Sequence, residues 1–451
     1  MIVMKFGGTS VGDAAAVRRV IAITGERLGK RPVVVVSALS KVTDTLCRIA
    51  ELSASGDYAK AEELAGEIYK RHIDMCRELF GENSERMAQC QESVKTLVDD
   101  LLVISRGVSI LSELSDRSLA RIMSYGELLS SNVIAQAFRE AGISCSLADA
   151  RQFIITDSNY LCGDPDFYLI KEKAPAVISK ELANSDVVLT QGFIASALNG
   201  ITSVLGRGGS DYTASLIGMA MDAEEIEIWT DVDGVHTVDP GRVSNTTSIA
   251  KLSFEEAAEL ASFGAKVLHP LTIQPAIEKS IPVKVLNSMN PDNPGTIILK
   301  SDQVTETGVK SLSFKENITV VNIFSARMLN TSGFLSRVFG IFSKYNASVD
   351  LISTSEVNIS LTLGNSAGLE NIIVELSKFS KVSIETDKSQ VSLIGKDLKS
   401  IKGVAGRIFG VLAGYNVSMI SQGASDINVS FVVDRRDLNA VLNILHKEFF
   451  E

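Results

Sequence analysis

Met1-Ile-Val-Met-Lys-Phe-Gly-Gly-Thr-Ser10 opens the chain. An apolar run, one lysine, then paired glycines before Thr-Ser read as a buried strand that breaks at Gly7-Gly8 and turns into a helix. Such a turn aims backbone N–H groups and the positive end of a helix dipole at one point, so its natural guest is an anion, phosphate above all. The usual nucleotide loop, GxxxxGK[ST], carries its lysine after the glycines. Here Lys5 precedes them, and a different phosphate cradle is expected. A plain strand-to-helix turn capped by Ser10 is the competing account.

The same alternation continues outward to about residue 300. Val33 to Val36, Asp186 to Thr190 and Ile226 to Trp229 read as buried strands, and Thr43 to Ala141 is mostly helical by its three and four spacing, as in Ile134, Ala137, Phe138 and Ala141. Gly56-Asp57 and Gly81 to Ser84 are expected to separate helices, and Ser105 to Ser118 to form a further loop or short-helix region. This is the signature of an α/β three-layer domain around a mostly parallel sheet. Turn formers from Asn287 to Gly295 set its end, giving a first domain over 1–300.

After about residue 310 the sequence repeats. Gly333 to Leu363 and Gly403 to Val433 align at a constant offset without a gap, with Arg337/Arg407, Phe339/Phe409, Gly340/Gly410, Tyr345/Tyr415, Asn346/Asn416 and Asn358/Asn428 identical. Two copies of one module are expected, over 310–381 and 382–451, each a glycine-started helix, a Tyr-Asn turn and two strands. A purely structural duplication that builds a dimer interface is the plainer reading.

The 451 residues carry 44 basic and 54 acidic side chains and a net charge of −10, with no basic patch, so sequence-independent nucleic-acid binding is disfavoured. No apolar run approaches the roughly 20 residues of a spanning helix, and no secretory leader is apparent. Five cysteines without a CxxC disfavour a disulfide framework and a zinc knot. A cytoplasmic protein is expected, without nucleic-acid or membrane partners.

Further candidates follow along the chain. Leu205-Gly-Arg-Gly-Gly-Ser-Asp-Tyr-Thr213 combines close-approach glycines with Arg207, a fork suited to carboxylate or phosphate; Asp211 as a helix cap is the alternative. Trp229-Thr-Asp-Val-Asp-Gly-Val-His236 follows a strand, so Thr230 and Asp231 fall where parallel sheets bind ligands, unless Asp233-Gly234 is a plain turn. Lys266 lies in an apolar context, with a solvent-facing lysine as the default. Glu127 in Ser124-Tyr-Gly-Glu127 also fits a capping box. No GxGxxG opens the first strand-helix unit, which disfavours a Rossmann dehydrogenase.

Taken together, KFGGTSVG, SYGE, QGFIA at Gln191 to Ala195, LGRGGSDYTA, WTDVDGV and FGAKVLHP occur in the order seen in aspartate kinases, and the duplicated tail resembles their paired ACT regulatory modules. The likeness spans nearly the whole chain. It is nearest to the lysine-sensitive, single-function branch, through Met328 to Ile341 and Ser348 to Val357, and a fused homoserine dehydrogenase is not expected. The resemblance implies an amino-acid-kinase-type domain followed by two ferredoxin-like α+β modules. The implied reaction is ATP- and Mg²⁺-dependent phosphorylation of the L-aspartate side chain to 4-phospho-L-aspartate, the first step towards lysine, threonine and methionine, with lysine as feedback effector. Another amino-acid kinase and a catalytically inactive amino-acid sensor are the alternatives.

Carried over residue by residue, the resemblance assigns phosphoryl stabilisation to Lys5, backbone donors to Gly7 and Gly8, and orientation of the lysine to Asp211. Arg207 would take the aspartate α-carboxylate and Glu127 its ammonium, with Ser37, Ala38, Thr43, Phe193 and Ser210 lining the pocket. Thr230, Asp231, His236, Arg242 and Lys266 would hold the nucleotide; relatives carry Tyr at the place of His236 and DPR where this chain reads Asp239-Pro-Gly-Arg242. Met328, Thr331, Phe334, Leu335, Val349, Asp350, Ser355 and Glu356 would bind the effector at a homodimer interface of the ACT modules, with a dimer of dimers as an alternative assembly. The repeat supports the first copy independently, because Asp350 faces Ile420 and Thr354 faces Ala424 at matched positions. No protein-held metal is expected.

Overall fold

The computed structural model describes residues 1–264, 270–328, 332–364 and 368–451. The chain folds as two compact units. The first contains β1 (Ile2–Phe6), α1 (Ala14–Gly25), β2 (Pro32–Val36), α2 (Val42–Ala54), α3 (Tyr58–Phe80), α4 (Glu85–Leu111), α5 (Asp116–Glu140), β3 (Cys145–Ala148) and β4 (Ile155–Thr156). It continues through α6 (Phe167–Leu182), β5 (Val187–Gln191), β6 (Ile194–Ala197), β7 (Thr202–Val204), α7 (Gly209–Ala220), β8 (Glu225–Thr230) and β9 (Lys251–Ser253). After α8 (Phe254–Ser262) come α9 (Gln274–Lys279), β10 (Val283–Asn287) and β11 (Thr296–Leu299).

The main sheet runs β3-β5-β2-β1-β8-β10-β11-β9. From β3 to β10 its pairs are all parallel, and β11 turns back antiparallel on β10. Every residue of β1, β2 and β5 is buried, and the three strands are apolar except near their carboxyl ends, at Lys5 of β1 and Thr190-Gln191 of β5. Register places Phe6 beside both Val36 and Trp229, and Val36 beside Gln191. The carboxyl ends of four strands therefore meet at one edge, where ligands bind in open parallel sheets.

Gly56-Asp57 and Gly81 to Ser84 do separate helices, with Asp57 and Ser84 as N-caps. The expected loop over Ser105 to Ser118 is mostly helix instead. α4 runs on to Leu111, because Leu101, Ser105 and Val108 share a buried face, and residues 112–115 alone make the turn into α5. Serines on a buried helix face mimic a loop in composition alone.

The second unit holds β12 (Gly308–Phe324), α10 (Phe334–Lys344), β13 (Ile352–Thr354), β14 (Asn358–Leu363), α11 (Leu369–Ser377), β15 (Lys381–Lys396), α12 (Val404–Val411), β16 (Val417–Gln422), β17 (Asn428–Asp434) and α13 (Leu438–Phe450). Its sheet is antiparallel, ordered β13-β14-β12-β15-β17-β16. The repeat is visible in the backbone: α10 and α12 each start from a left-handed glycine, Gly333 at φ 84° and Gly403 at φ 83°. One apolar core gathers around Val338, Phe342 and Ile359 of the first copy; the other, around Ile408, Phe431 and Leu442 of the second, also takes in Val238, Val243 and Leu312 from outside that copy. His236–Ile249 and most of α8 also belong to this unit, α8 through a buried ion pair of Glu256 with Lys310 at 2.9 Å. Among the described residues no helix is long and apolar enough to cross a membrane.

Candidate active site

Lys5 rises from the end of β1 into the edge where the parallel strands stop. Its Nζ lies 2.6 Å from Asp211 Oδ1, and both side chains are largely buried. Asp211 stands in the first turn of α7, while the cap position belongs to Gly208 at φ 72°, so Asp211 serves the lysine rather than the helix end. Ser10 is likewise not a cap: α1 is capped by Asp13, whose Oδ1 accepts from the Ala16 amide at 2.7 Å, and the Ser10 hydroxyl bonds Ser288 Oγ at 2.7 Å. The two glycines differ. The Gly7 amide donates to Trp229 O at 3.2 Å, whereas the Gly8 amide has no partner among the described residues. A Cβ at Gly8 would lie 2.9 Å from Ala38 O, so only glycine lets the β1–α1 and β2–α2 loops close together.

Glu127 sits in the interior of α5, twelve residues past its N-cap Ser115, which removes the capping-box reading. Gly126 explains how it reaches the site. A Cβ there would fall 2.8 Å from the Ala38 Cβ, so the glycine lets α5 pack close enough for Glu127 Oε1 to accept from the Ala38 amide at 3.0 Å. The other oxygen, Oε2, is buried without a partner. Burial, only partly opposed by the Ala38 hydrogen bond, pushes the carboxyl from 4.5 up to about 8. Ser37 Oγ donates to Ser210 Oγ at 2.9 Å, and Phe193, held at φ 64°, donates its amide to Thr213 Oγ1 at 3.1 Å.

These groups enclose a cleft of about 380 Å³, of small-ligand size. Lys5, Gly8, Ser37, Ala38, Thr43, Glu127, Phe193, Ser210 and Asp211 all line it. Gly7 lies one residue beyond the lining, and Arg207 is exposed between two left-handed glycines, Gly206 and Gly208. The sequence reading missed Ser40 and Lys41, which also line the cleft. Their signal was available, since they lie in the strand-to-helix loop between β2 and α2, as Gly8 and Thr9 lie in the one between β1 and α1.

The nucleotide candidates divide between the units. Thr230 ends β8 in the first and Asp231 follows it, with Thr230 Oγ1 donating to Asp231 Oδ1 at 3.2 Å. The turn behind them is real as well: Gly234 has φ 99°, and Asn287 Nδ2 donates to Asp233 Oδ1 at 2.7 Å. His236 and Arg242 belong to the second unit, where His236 Nδ1 lies 3.2 Å from Thr246 Oγ1. There Arg242 is ion-paired with Glu316, hydrogen-bonded to Asn439 Oδ1 at 3.3 Å and stacked over the Phe314 ring. Lys266 lies outside the described residues.

Of the effector candidates, Phe334 is buried in the core of the first copy, and Met328 and Val349 pack against that core. Leu335, Ser355 and Glu356 are exposed, and Thr331 lies outside the described residues. Asp350 is engaged by Lys315, Nζ to Oδ1 at 2.7 Å. A larger groove of about 810 Å³ in the second unit is lined by charges already paired with one another, Arg242 with Glu316 and Lys388 with Asp434. Of the two, the smaller cleft is the better candidate, because it combines an unpartnered buried carboxylate oxygen with the open amide of Gly8.

Residues 1–287 match the amino acid kinase family, and 321–368 and 391–449 match the ACT domain. The chain is 36% identical to lysine-sensitive aspartokinase 3 of Escherichia coli, covering 100% of this chain and 99% of that one. It is 36% identical to the chloroplastic aspartokinase 1 of Arabidopsis thaliana, over 100% of this chain and 80% of the relative. Among solved structures it superposes on E. coli aspartokinase III in complex with aspartate and ADP at a TM-score of 0.86, and on the same enzyme with lysine and aspartate at 0.82. Both are 35% identical and matched over 100% of either chain.

Proposed function

The chain belongs to the aspartokinase family, and on that premise we propose that it transfers the γ-phosphoryl group of ATP to the side-chain carboxylate of L-aspartate, releasing ADP and 4-phospho-L-aspartate. The observation that carries this reading is one cleft holding both the Lys5–Asp211 pair and Glu127 with its unpartnered Oε2. The nucleophile is a carboxylate with an ordinary pKa of about 4, so it is ionised near neutrality and needs no general base. Catalysis then reduces to positioning and charge neutralisation.

Lys5 meets the transferring phosphoryl group, held in line by Asp211, and the open Gly8 amide donates to a phosphate oxygen. Glu127 Oε2 accepts the substrate ammonium, Arg207 pairs with its α-carboxylate, and Ser37, Ala38, Thr43, Phe193 and Ser210 shape the pocket. Thr230 and Asp231, at the end of β8, hold the nucleotide. Mg²⁺ would be held chiefly by the nucleotide phosphates, with one or two carboxylates at most. Bound there it supplies neutralisation of phosphate charge. L-Lysine binds the first ACT copy, its ε-ammonium on Asp350, and the ACT modules pair two chains in a homodimer. Trapping aspartyl phosphate with hydroxylamine tests the reaction: no hydroxamate at saturating ATP, Mg²⁺ and aspartate would refute it.

A further inference from the structure

Lys41 has no part in the roles assigned so far, yet it lines the cleft beside Gly8 and Ser40. Its backbone is left-handed, φ 68° and ψ −3°, a conformation that disfavours any side chain and that a lysine cannot offset with the local hydrogen bonds open to asparagine or aspartate. Ten described non-glycine residues have positive φ, and only Lys41 and Phe193 among them line this cleft.

The strain at Lys41 is enforced from both sides. Before it, the Ser40 amide donates to Gly8 O at 3.2 Å, and Arg71 of α3 donates to Ser40 O at 2.7 Å and to Gly12 O at 3.2 Å. After it, Lys41 O accepts from the Thr45 amide and hydroxyl, each at 3.1 Å. A backbone held in a costly conformation at a site points to a use for the residue there. Charge says which use. The other cleft lysine, Lys5, is committed to Asp211, while Lys41 is exposed and makes no ion pair among the described residues. The reaction brings a multiply charged phosphoryl group up to a carboxylate beside this loop.

We propose that Lys41 is a substrate-contact residue whose ε-ammonium meets the transferring phosphoryl group from the β2–α2 side, opposite Lys5. This rests on the phosphotransfer reading above. The test uses the full chain with Lys41→Gly and Lys41→Asn, which relieve the backbone and remove the charge, and Lys41→Arg, which keeps it. Turnover is measured against ATP and aspartate, and ATP and ADP binding by calorimetry. The neutral variants should unfold no earlier than the parent, lose about tenfold or more in kcat/KM for ATP, and bind ADP within about twofold of the parent; Lys41→Arg should recover most of the loss. Parent-like kcat/KM in Lys41→Gly, equal weakening of ATP and ADP, or an Arg variant as poor as the Gly variant would each overturn the proposal. A parent that makes no aspartyl phosphate refutes the reaction instead, and the ATP-to-ADP binding ratio of each variant against the parent still decides Lys41.

Discussion

Glu127 gives the aspartate site a pH dependence whose size follows from its burial. With its carboxyl raised to about 8 by burial, only ~10% is ionised near pH 7 and ~90% near pH 9. The ammonium of aspartate pairs with the ionised form, so the apparent affinity is reduced by that fraction. Aspartate KM at saturating ATP should therefore fall by up to about tenfold across this range, until the ligand's own ammonium begins to lose its proton. Calorimetry below pH 8 should show a proton released on aspartate binding. Stability moves the opposite way. Because folding raises this pKa from 4.5 to about 8, the native state keeps a proton that the unfolded chain gives up; stability is fullest below about 4.5 and is lost as pH rises towards 8, by ~1.4 kcal/mol per unit. Glu127→Gln should flatten the stability profile and abolish the KM trend. A parent KM that is level from pH 6.5 to 8.5, or a Gln variant with the parent's trend, would refute the reasoning.

Asp211→Asn replaces the carboxylate that Lys5 meets at 2.6 Å by a neutral amide and should cut kcat about 10²-fold or more while circular dichroism stays unchanged. Gly126→Ala places a Cβ 2.8 Å from that of Ala38; urea unfolding should show a loss of about 1–3 kcal/mol, and aspartate KM should rise more than ATP KM. Lys315→Met frees Asp350 from its own lysine, so half-inhibition should need several-fold less L-lysine, with turnover in its absence unchanged; an unmoved or weakened dose response would count against Asp350 as the ammonium site.

Much of the site was legible because its signals are local. A lysine before paired glycines at a strand end, and a carboxylate beside a glycine inside a helix, carry their chemistry in short stretches, and Lys5, Gly8, Glu127 and Asp211 do line one cleft. The capping alternatives for Ser10, Glu127 and Asp211 failed together for one reason. A capping motif has meaning only at a helix start, and tertiary packing put those starts at Asp13, Ser115 and Gly208.

By itself the sequence determined the parallel α/β layer, since strands buried on both faces are mostly apolar, and the paired ACT modules, since the repeat is printed in the chain. Only the tertiary structure decided which amide of the glycine pair stays open, that Lys41 is wound left-handed into the cleft, and that Arg242 and Asp350 already hold partners in Glu316 and Lys315. Those are pairings between residues far apart in the chain. Charge and hydrogen-bond satisfaction depend on which groups the fold brings within about 3 Å of one another, and no local pattern encodes that distance.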